Sequence, residues 1–395
     1  MRTATVIIPT YNERGNIQKL IPVLLDVFKT CKKWNVNLLV VDDTSPDKTY
    51  EVVAKLAKKH KEVNLLVNKK KSGLGGAYLK GMEYAFNSLK SDVVFEFDAD
   101  FSHDPNKIPQ FLDAIDDGAD MVLGSRYIPG GGIPKDWGIH RKFLSVIGNL
   151  VIMVVLTDFS IRDWTTGYRA ITKEVYEKVH PQLHKERFSG YTFQIGFLHA
   201  AVRQGFKIVE VPFQFVDRSE GHSKLGPEYI KNTLLFIGRV RIKEILMSRF
   251  FKFALVGGFG ALVQLTSLQL YRFILPDFQW LFMSSFLTAT LLSIETAIVS
   301  NFIINNAWTF ADRKLAADKI VRKFAEFNLA SMGSLLIQMI VAFLGENVIG
   351  LFVLFTLPFI GISIDTGTVY AVIGIGLGLF WNFFAYNYFI WKKVS

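Results

Sequence analysis

Two aspartates one residue apart, Asp98 and Asp100, follow the apolar run Val93-Val94-Phe95-Glu96-Phe97. At a strand end such carboxylates point the same way and suit a hard divalent cation. Mg²⁺ prefers one or two carboxylates plus substrate phosphates to a full protein cage. A lysine- and glycine-rich loop, Lys69-Lys70-Lys71-Ser72-Gly73-Leu74-Gly75-Gly76, lies 25 residues upstream. Together they point to a metal–diphosphate site. The loop has neither Gly-x-x-x-x-Gly-Lys-Ser nor Gly-x-Gly-x-x-Gly, so ATPase and dehydrogenase chemistry lose their support. Polar residues also cluster in Pro9-Thr10-Tyr11-Asn12-Glu13 and in Asp42-Asp43-Thr44-Ser45-Pro46-Asp47. Ser45 and Asp47 alone could be no more than helix caps.

The elements that must position these groups are legible. Strand-like runs occupy Thr5–Pro9, Asn37–Asp42, Val63–Asn68, Asp92–Asp98 and Asp120–Gly124. Helical patterns over Asn16–Lys32, Asp47–His60, Ala77–Leu89 and Pro105–Asp116 separate them. Strand alternating with helix at this spacing predicts a mostly parallel sheet covered on both faces. Ligands of such sheets sit beyond the carboxyl ends of the strands, where the polar clusters fall.

Composition divides the chain. Of 395 residues, 50% are hydrophobic and 20% charged. Residues 250–395 hold nine Lys/Arg and seven Asp/Glu, against 36 and 28 in the first 249. A soluble module is followed by a membrane module, and a purely soluble enzyme is excluded. Four apolar stretches, about 253–272, 279–306, 327–345 and 366–391, approach or exceed the roughly 20 residues needed to cross a bilayer. Arg313, Lys314, Lys319, Arg322 and Lys323 lie between the second and third, and Lys392-Lys393 follows the fourth. The positive-inside rule places both groups, and both termini, in the cytosol. Residues 347–364 then read as an outer loop or hairpin. Glu295 is expected to face other helices, near Asn301, Asn305 and Asn306. The glycines at 257–260 and 374–378 read as close-packing positions.

Cys31 stands alone, so no intrachain disulfide or cysteine metal site is possible. The first residues read as a strand and not a signal peptide. Phe143–Leu156 is too short to span, and is either a core helix or one lying at the membrane surface. Tyr229–Phe250 has the composition of an interfacial helix. The net charge of +10 fits membrane contact and phosphate substrates, and no nucleic acid is expected.

The runs Val6-Ile7-Ile8-Pro9-Thr10-Tyr11-Asn12-Glu13, Val40-Val41-Asp42-Asp43, Asp98-Ala99-Asp100 and Gly124-Ser125-Arg126-Tyr127 together resemble inverting family 2 glycosyltransferases of GT-A fold. Asp98-Ala99-Asp100-Phe101-Ser102-His103, Gly124 to Gly131, Asp163-Trp164-Thr165-Thr166-Gly167-Tyr168-Arg169-Ala170 and Glu210-Val211-Pro212 resemble the polyprenyl (dolichyl) phosphate mannose synthases among them. The tail resembles the GtrA-like domain some of these enzymes carry. The resemblance implies an α/β, Rossmann-like GT-A catalytic domain over residues 1–224. Amphipathic interfacial helices over 225–249 and an all-α, four-helix transmembrane domain over 250–395 would follow.

The implied activity is that of a dolichyl-phosphate β-D-mannosyltransferase, moving mannose from GDP-mannose to a polyprenyl or dolichyl phosphate with Mg²⁺ or Mn²⁺. Pro9, Tyr11, Glu13 and Asp42 would hold the nucleoside, with Gly73 and Ala99 also at the donor. Asp98 and Asp100 would hold metal and diphosphate, with Ser102 a third metal candidate. Arg126, Arg141 and Ser145 would hold the acceptor phosphate. Arg218 and Lys224 would close over the donor diphosphate. Asp98, Asp100, Arg126 and Arg218 are the catalytic candidates.

A lipid phosphate monoester is mostly dianionic at neutral pH and needs no strong general base. His103, His140 and His222 therefore read as structural or solvent-facing. The alternatives are glucose transfer from UDP-glucose to a polyprenyl phosphate, a processive polysaccharide synthase, and a lipid-linked-sugar flippase with the enzyme half secondary. The synthase loses support because no Gln-x-x-Arg-Trp occurs.

Overall fold

The computed structural model describes residues 1–69, 71–183, 192–217, 227–276, 279–280, 283–350, 352–356 and 363–392. Arg218 and Lys224, with His222 and Lys393, lie outside the described residues. The chain forms two compact units, residues 1–241 and 242–395. Their boundary falls within one helix, α8 (Pro227–Met247), where the sequence suggested separate interfacial helices.

The first unit is built on a mixed sheet of seven strands. These are β1 (Arg2–Thr10), β2 (Trp34–Asp42), β3 (Val63–Val67), β4 (Val93–Glu96), β5 (Met121–Ser125), β6 (Arg169–Thr172) and β7 (Ile208–Pro212), in spatial order 3-2-1-4-6-5-7. The first five match the strands expected from sequence. β6 and β7 are additional, and β6 runs antiparallel between β4 and β5. All other pairings are parallel.

Runs such as Val6-Ile7-Ile8 and Leu38-Leu39-Val40-Val41 are continuously apolar because both sheet faces are covered. Val6, Ile8, Leu38 and Val40 pack with Ile17, Leu20 and Leu24 of α1 (Arg14–Phe28) and with Phe111 and Leu112 of α4 (Ile108–Asp116). Ile7, Leu39 and Val41 lie in the opposite core with Tyr78, Met82 and Phe86 of α3 (Gly73–Asn87). The same core holds residues of α5 (Ile139–Leu156), α6 (Lys173–Leu183) and α7 (Thr192–Arg203). Each such side chain contributes about 1.5–3 kcal/mol of burial. The remaining helix, α2 (Thr49–Ala57), adds Val53 to the first core.

The second unit contains α9 (Arg249–Ile274), α10 (Ser285–Ile304), α11 (Ile320–Val348) and α12 (Thr366–Ala385). The second expected span is shorter than predicted, because Gln279–Trp280 and Met283–Ser284 form an antiparallel strand pair, β8 and β9. Val353–Thr356 and Ser363–Asp365 form another, β10 and β11, within the region read as a loop or hairpin. Glu295 is exposed, contrary to expectation. On α10 the residues two to either side, Ser293 and Ala297, are the buried ones, so Glu295 falls on the outer face.

Candidate active site

The strand directions bring every polar cluster to one edge. Pro9 and Thr10 end β1, Asp42 ends β2, and Asp98 follows β4. Because β6 is antiparallel, its first residue Arg169 pairs with Glu96 near the end of β4. The loop carrying Asp163 to Thr166 is thereby delivered to the same edge. Ser125 and Pro212, paired at the ends of β5 and β7, bring Arg126 and Asp217 there too. The sheet order reverses at β1, between β2 and β4, which is where doubly wound sheets bind ligands. Three non-glycine residues just beyond these strands have left-handed backbone, Asn12 (φ 60°), Thr44 (φ 54°) and Phe101 (φ 64°). For a β-branched threonine that is strain. The Thr44 hydroxyl donates to the Asn68 carbonyl at 2.5 Å, anchoring the loop.

Asp98 is the better exposed carboxylate, at 38% of its side chain. The Tyr78 hydroxyl donates to its Oδ1 at 3.1 Å. Burial, reinforced by the negative charge of Asp98, holds that phenol well above its usual pKa, so it stays a donor. The Asp98 backbone N–H donates to His103 Nδ1 at 3.0 Å. His103 is buried, and its ring stacks on Tyr168 at 4.9 Å. Burial keeps its pKa below the usual histidine value despite Asp98 and Asp100 nearby. His103 is therefore a neutral prop for the aspartate loop, as the sequence reading suggested. Asp100 accepts from the Ser102 backbone N–H at 3.1 Å. Ser102 and Ala99 are buried, so they shape the turn. Among the described residues no group of three or more His, Cys, Asp or Glu could hold a metal ion. Two hard carboxylates fit a divalent ion whose remaining ligands come from a diphosphate.

Beneath the loop, Glu96 and Arg169 are fully buried with 3.8 Å between Glu96 Oε2 and Arg169 Nε. Burial pushes the Glu96 carboxyl up to about 7, against the pull of Arg169.

On the donor side, Asp42 is fully buried. Its oxygens accept from Thr10 Oγ1, Ser45 Oγ and the Ser45 N–H at 2.7–2.9 Å. It therefore builds the loop from below, a revision of the direct nucleoside contact expected of it. Its neighbour Asp43, which sequence reasoning did not single out, organises the lysine–glycine loop. Asp43 accepts from Asn68 Nδ2, the Ser72 and Gly73 N–H groups and Ser72 Oγ. Gly73 opens α3 at φ +70°, a conformation that favours glycine. Lys71 lies 3.7 Å over the Tyr11 ring, and Glu13 accepts from Asn16 Nδ2 at 2.8 Å.

On the acceptor side, Arg141, Ser145 and Asn149 recur every four residues and share one face of α5. Ser145 Oγ is 2.5 Å from the Tyr127 hydroxyl. Arg126 donates through Nε and Nη2 to the two oxygens of Asp163, both at 2.7 Å, and through Nη2 to Thr165 Oγ1 at 2.8 Å. Asp163 is fully buried. Arg141 forks to Asp217 through Nη1 and Nη2, both bonds at 2.9 Å, and lies 3.7 Å over the Trp137 ring. Trp137 Nε1 also donates to Asp217, at 2.7 Å. Neither aspartate partner was assigned from sequence, since each is distant along the chain from its arginine.

α5 begins at Ile139, so at 18 residues it is longer than the 14 expected, and it is apolar enough to cross a membrane. It does not read as a span here, because Ile152, Met153 and Leu156 belong to the sheet core. Ile139, Phe143, Val146, Leu150 and Val154 instead form an exposed apolar stripe.

Residues 5–180 match glycosyl transferase family 2, and residues 252–391 match the GtrA/DPMS transmembrane domain. The chain thus carries a glycosyltransferase domain followed by a transmembrane domain. The chain is similar to a dolichol-phosphate mannosyltransferase of Pyrococcus furiosus, 32% identical over 85% of this chain and 89% of the relative. It is similar also to a polyprenol monophosphomannose synthase of Mycolicibacterium smegmatis, 39% identical over 60% of this chain and 86% of that protein. An undecaprenyl-phosphate mannosyltransferase of Micrococcus luteus is 36% identical over 60% of this chain and 93% of its own. The chain belongs to the dolichol- and polyprenol-phosphate mannosyltransferases of glycosyl transferase family 2.

Proposed function

We propose that the enzyme transfers mannose from GDP-mannose to the phosphate of a polyprenyl or dolichyl lipid, with inversion and a divalent metal, Mg²⁺ or Mn²⁺. The observation that carries this reading is the single sheet edge on which Asp98, Asp100, Arg126 and Arg141 meet. The shared mannose chemistry of the three relatives favours mannose over the glucose alternative.

Pro9, Tyr11 and Glu13 hold the nucleoside, on a loop set by Asp42, with Gly73 bordering the diphosphate. Arg218 and Lys224, outside the described residues, would bind the donor diphosphate, as the family resemblance implies. Asp98 and Asp100 would hold the metal, which when bound would supply Lewis-acid stabilisation to the leaving nucleoside diphosphate. The chain's own work is positioning. The acceptor phosphate carries its own negative charge to the anomeric carbon, so no side chain need act as nucleophile or strong base. Arg141, beside Ser145, takes that phosphate in a planar fork by exchanging it for Asp217. Arg126, buried and neutralised by Asp163, fixes the Asp163–Thr166 loop beside the acceptor site. The exposed stripe of α5 suits burial at the headgroup level of a bilayer, the depth of the lipid phosphate. The catalytic unit and both termini lie on the cytosolic side, in keeping with the positive-inside distribution of Arg313, Lys314, Lys319, Arg322, Lys323 and Lys392.

The test supplies purified protein with a short polyprenyl phosphate and radiolabelled nucleotide sugars, with Mg²⁺ or EDTA. Label should reach the organic phase from GDP-mannose, only with metal, and Asp100→Ala should abolish it. Label from UDP-glucose alone would move the sugar assignment, and no lipid product from any donor would overturn the acceptor class.

A further inference from the structure

The membrane unit is an internal repeat. Each half is a helix, a short strand pair, a 20-residue helix and a five-residue π-turn. A shift of 81 residues carries Ser285–Ile304 onto Thr366–Ala385 and Asn305–Thr309 onto Tyr386–Ile390. A shift of 71 sets Lys252-Phe253-Ala254 on Lys323-Phe324-Ala325. The contacts obey the same relation. Phe302 meets Phe324 at 5.2 Å, and their counterparts Phe383 and Phe253 meet at 5.6 Å. Phe310 stacks on its own counterpart, Trp391, at 4.5 Å and 5°. Asn306 accepts from Trp391 Nε1 and Asn387 accepts from Arg313 Nη1, each reaching into the other half at 3.0 Å.

Against that symmetry the surroundings of the two paired lysines, Lys252 and Lys323, differ. In the second half, Lys323 is satisfied by Glu326 at 2.6 Å and by the Phe389 carbonyl at 2.7 Å. Trp381 lies over α11 there, donating to the Ala330 carbonyl at 3.0 Å. It comes so close to Gly333 that a Cβ there would meet the indole at 2.3 Å. In the first half Leu255 replaces Glu326 and Ser300 replaces Trp381. The first half carries an open apolar groove of about 280 Å³ lined by Leu255, Val256, Phe259, Ile304 and Trp308. Lys252 sits 5.6 Å over the Trp308 ring and forms no ion pair among the described residues.

We infer that this groove is a second lipid-phosphate site, which takes the first isoprene units of a polyisoprenyl phosphate and places its phosphate on Lys252. The chemistry selects that occupant. A phosphate monoester approaches two negative charges at neutral pH, where a bilayer phosphodiester carries one. The groove follows a single helix pair and offers one apolar channel with two aromatic walls, fitting one methyl-branched chain. Tryptophan and lysine together mark the depth of a headgroup. The inference rests on the lipid-phosphate acceptor proposed above.

The test uses full-length protein in phosphatidylcholine nanodiscs and a polyprenyl phosphate carrying a diazirine in its second isoprene unit. Photolabel is mapped to peptides by mass spectrometry. Label is expected on the α9 and α10 peptides bearing Leu255 to Phe259 and Ile304 to Trp308. It should be competed by unlabelled polyprenyl phosphate and not by equimolar phosphatidylglycerol. Ile304→Trp, which fills the groove from its own lining, should remove it. Lys252→Gln, a mild surface change, should lower it about fivefold, the worth of one lysine at a membrane surface. Equal competition by phosphatidylglycerol, no label on these peptides, or label indifferent to both variants would overturn the site. Label on the Arg141 peptide is read separately, and its absence would count against the catalytic acceptor reading alone.

Discussion

The arginine–aspartate pairs at Asp163 and at Asp217 are both two-bond forks, through Nε and Nη2 in the first and Nη1 and Nη2 in the second, and they differ in their access to water. Asp163 and Arg126 expose 0% and 9% of their side chains, Asp217 and Arg141 38% and 37%. Asp163 also receives the Arg126 backbone N–H, and its own N–H is held by Glu210. Buried ions depend wholly on each other, because removing one strands the other's charge. Half-exposed ions are worth little, because water replaces either partner. One pair is scaffold, and the other is, in the proposed mechanism, where the incoming phosphate takes the aspartate's seat.

The largest effect should come from Asp163→Ala, which strands Arg126. A loss of about 3–5 kcal/mol is expected, read as a fall in the denaturation midpoint of the solubilised protein. Asp217→Ala should cost less than about 1 kcal/mol. Equal losses would erase the distinction between the pairs.

The second effect is kinetic and confined to the half-exposed pair. Arg141→Ala should raise the acceptor KM on the order of tenfold or more, the worth of hydrogen bonds to a charged group. Asp217→Asn should lower it by up to about fivefold, since a competing pair worth up to about 1 kcal/mol has gone. Donor KM should stay unchanged in both. If Asp217→Asn instead raises the acceptor KM, Asp217 positions Arg141 and does not compete for it.

A further effect, read only in pH dependence, concerns Glu96, buried like Asp163 but beside a partner 3.8 Å away. Its carboxyl is raised from 4.5 to about 7 in the fold, so the native state holds a proton that the unfolded chain has released. Its contribution to stability is present below about pH 4.5 and is lost as pH rises through 7. Glu96→Gln should flatten the fall in stability across that window. An unchanged slope would show that Arg169 keeps Glu96 ionised throughout.

Much of the catalytic unit was legible because its signals are local. The first five strands are apolar runs, and Asp98-Ala99-Asp100 announces itself at the end of one. β6 was hidden because Arg169–Thr172 is four residues long, and only its antiparallel insertion shows why the loop at 163–166 belongs to the site. Asp163 and Asp217 act on arginines 37 and 76 residues away, a pairing no spacing reveals. The start of α5 was masked by Arg141 and Lys142, which follow Ile139 and His140 on the same helix. In the membrane unit the apolar lengths gave four helices. The repeat stayed hidden because its halves share few identities, Asn301 with Asn382 and Asn306 with Asn387 among them, and their separation changes from 71 to 81 residues across the strand pairs.

The central claim is that the lipid phosphate attacks directly, held by arginine, with no side chain of the enzyme bonded to the sugar. Its most direct test is the anomeric configuration of the mannosyl phosphate product, read by NMR from the one-bond coupling at the anomeric carbon. GDP-mannose is α-linked, so a β-linked product is expected. An α-linked product would require a second displacement and an enzyme nucleophile, and would contradict the account.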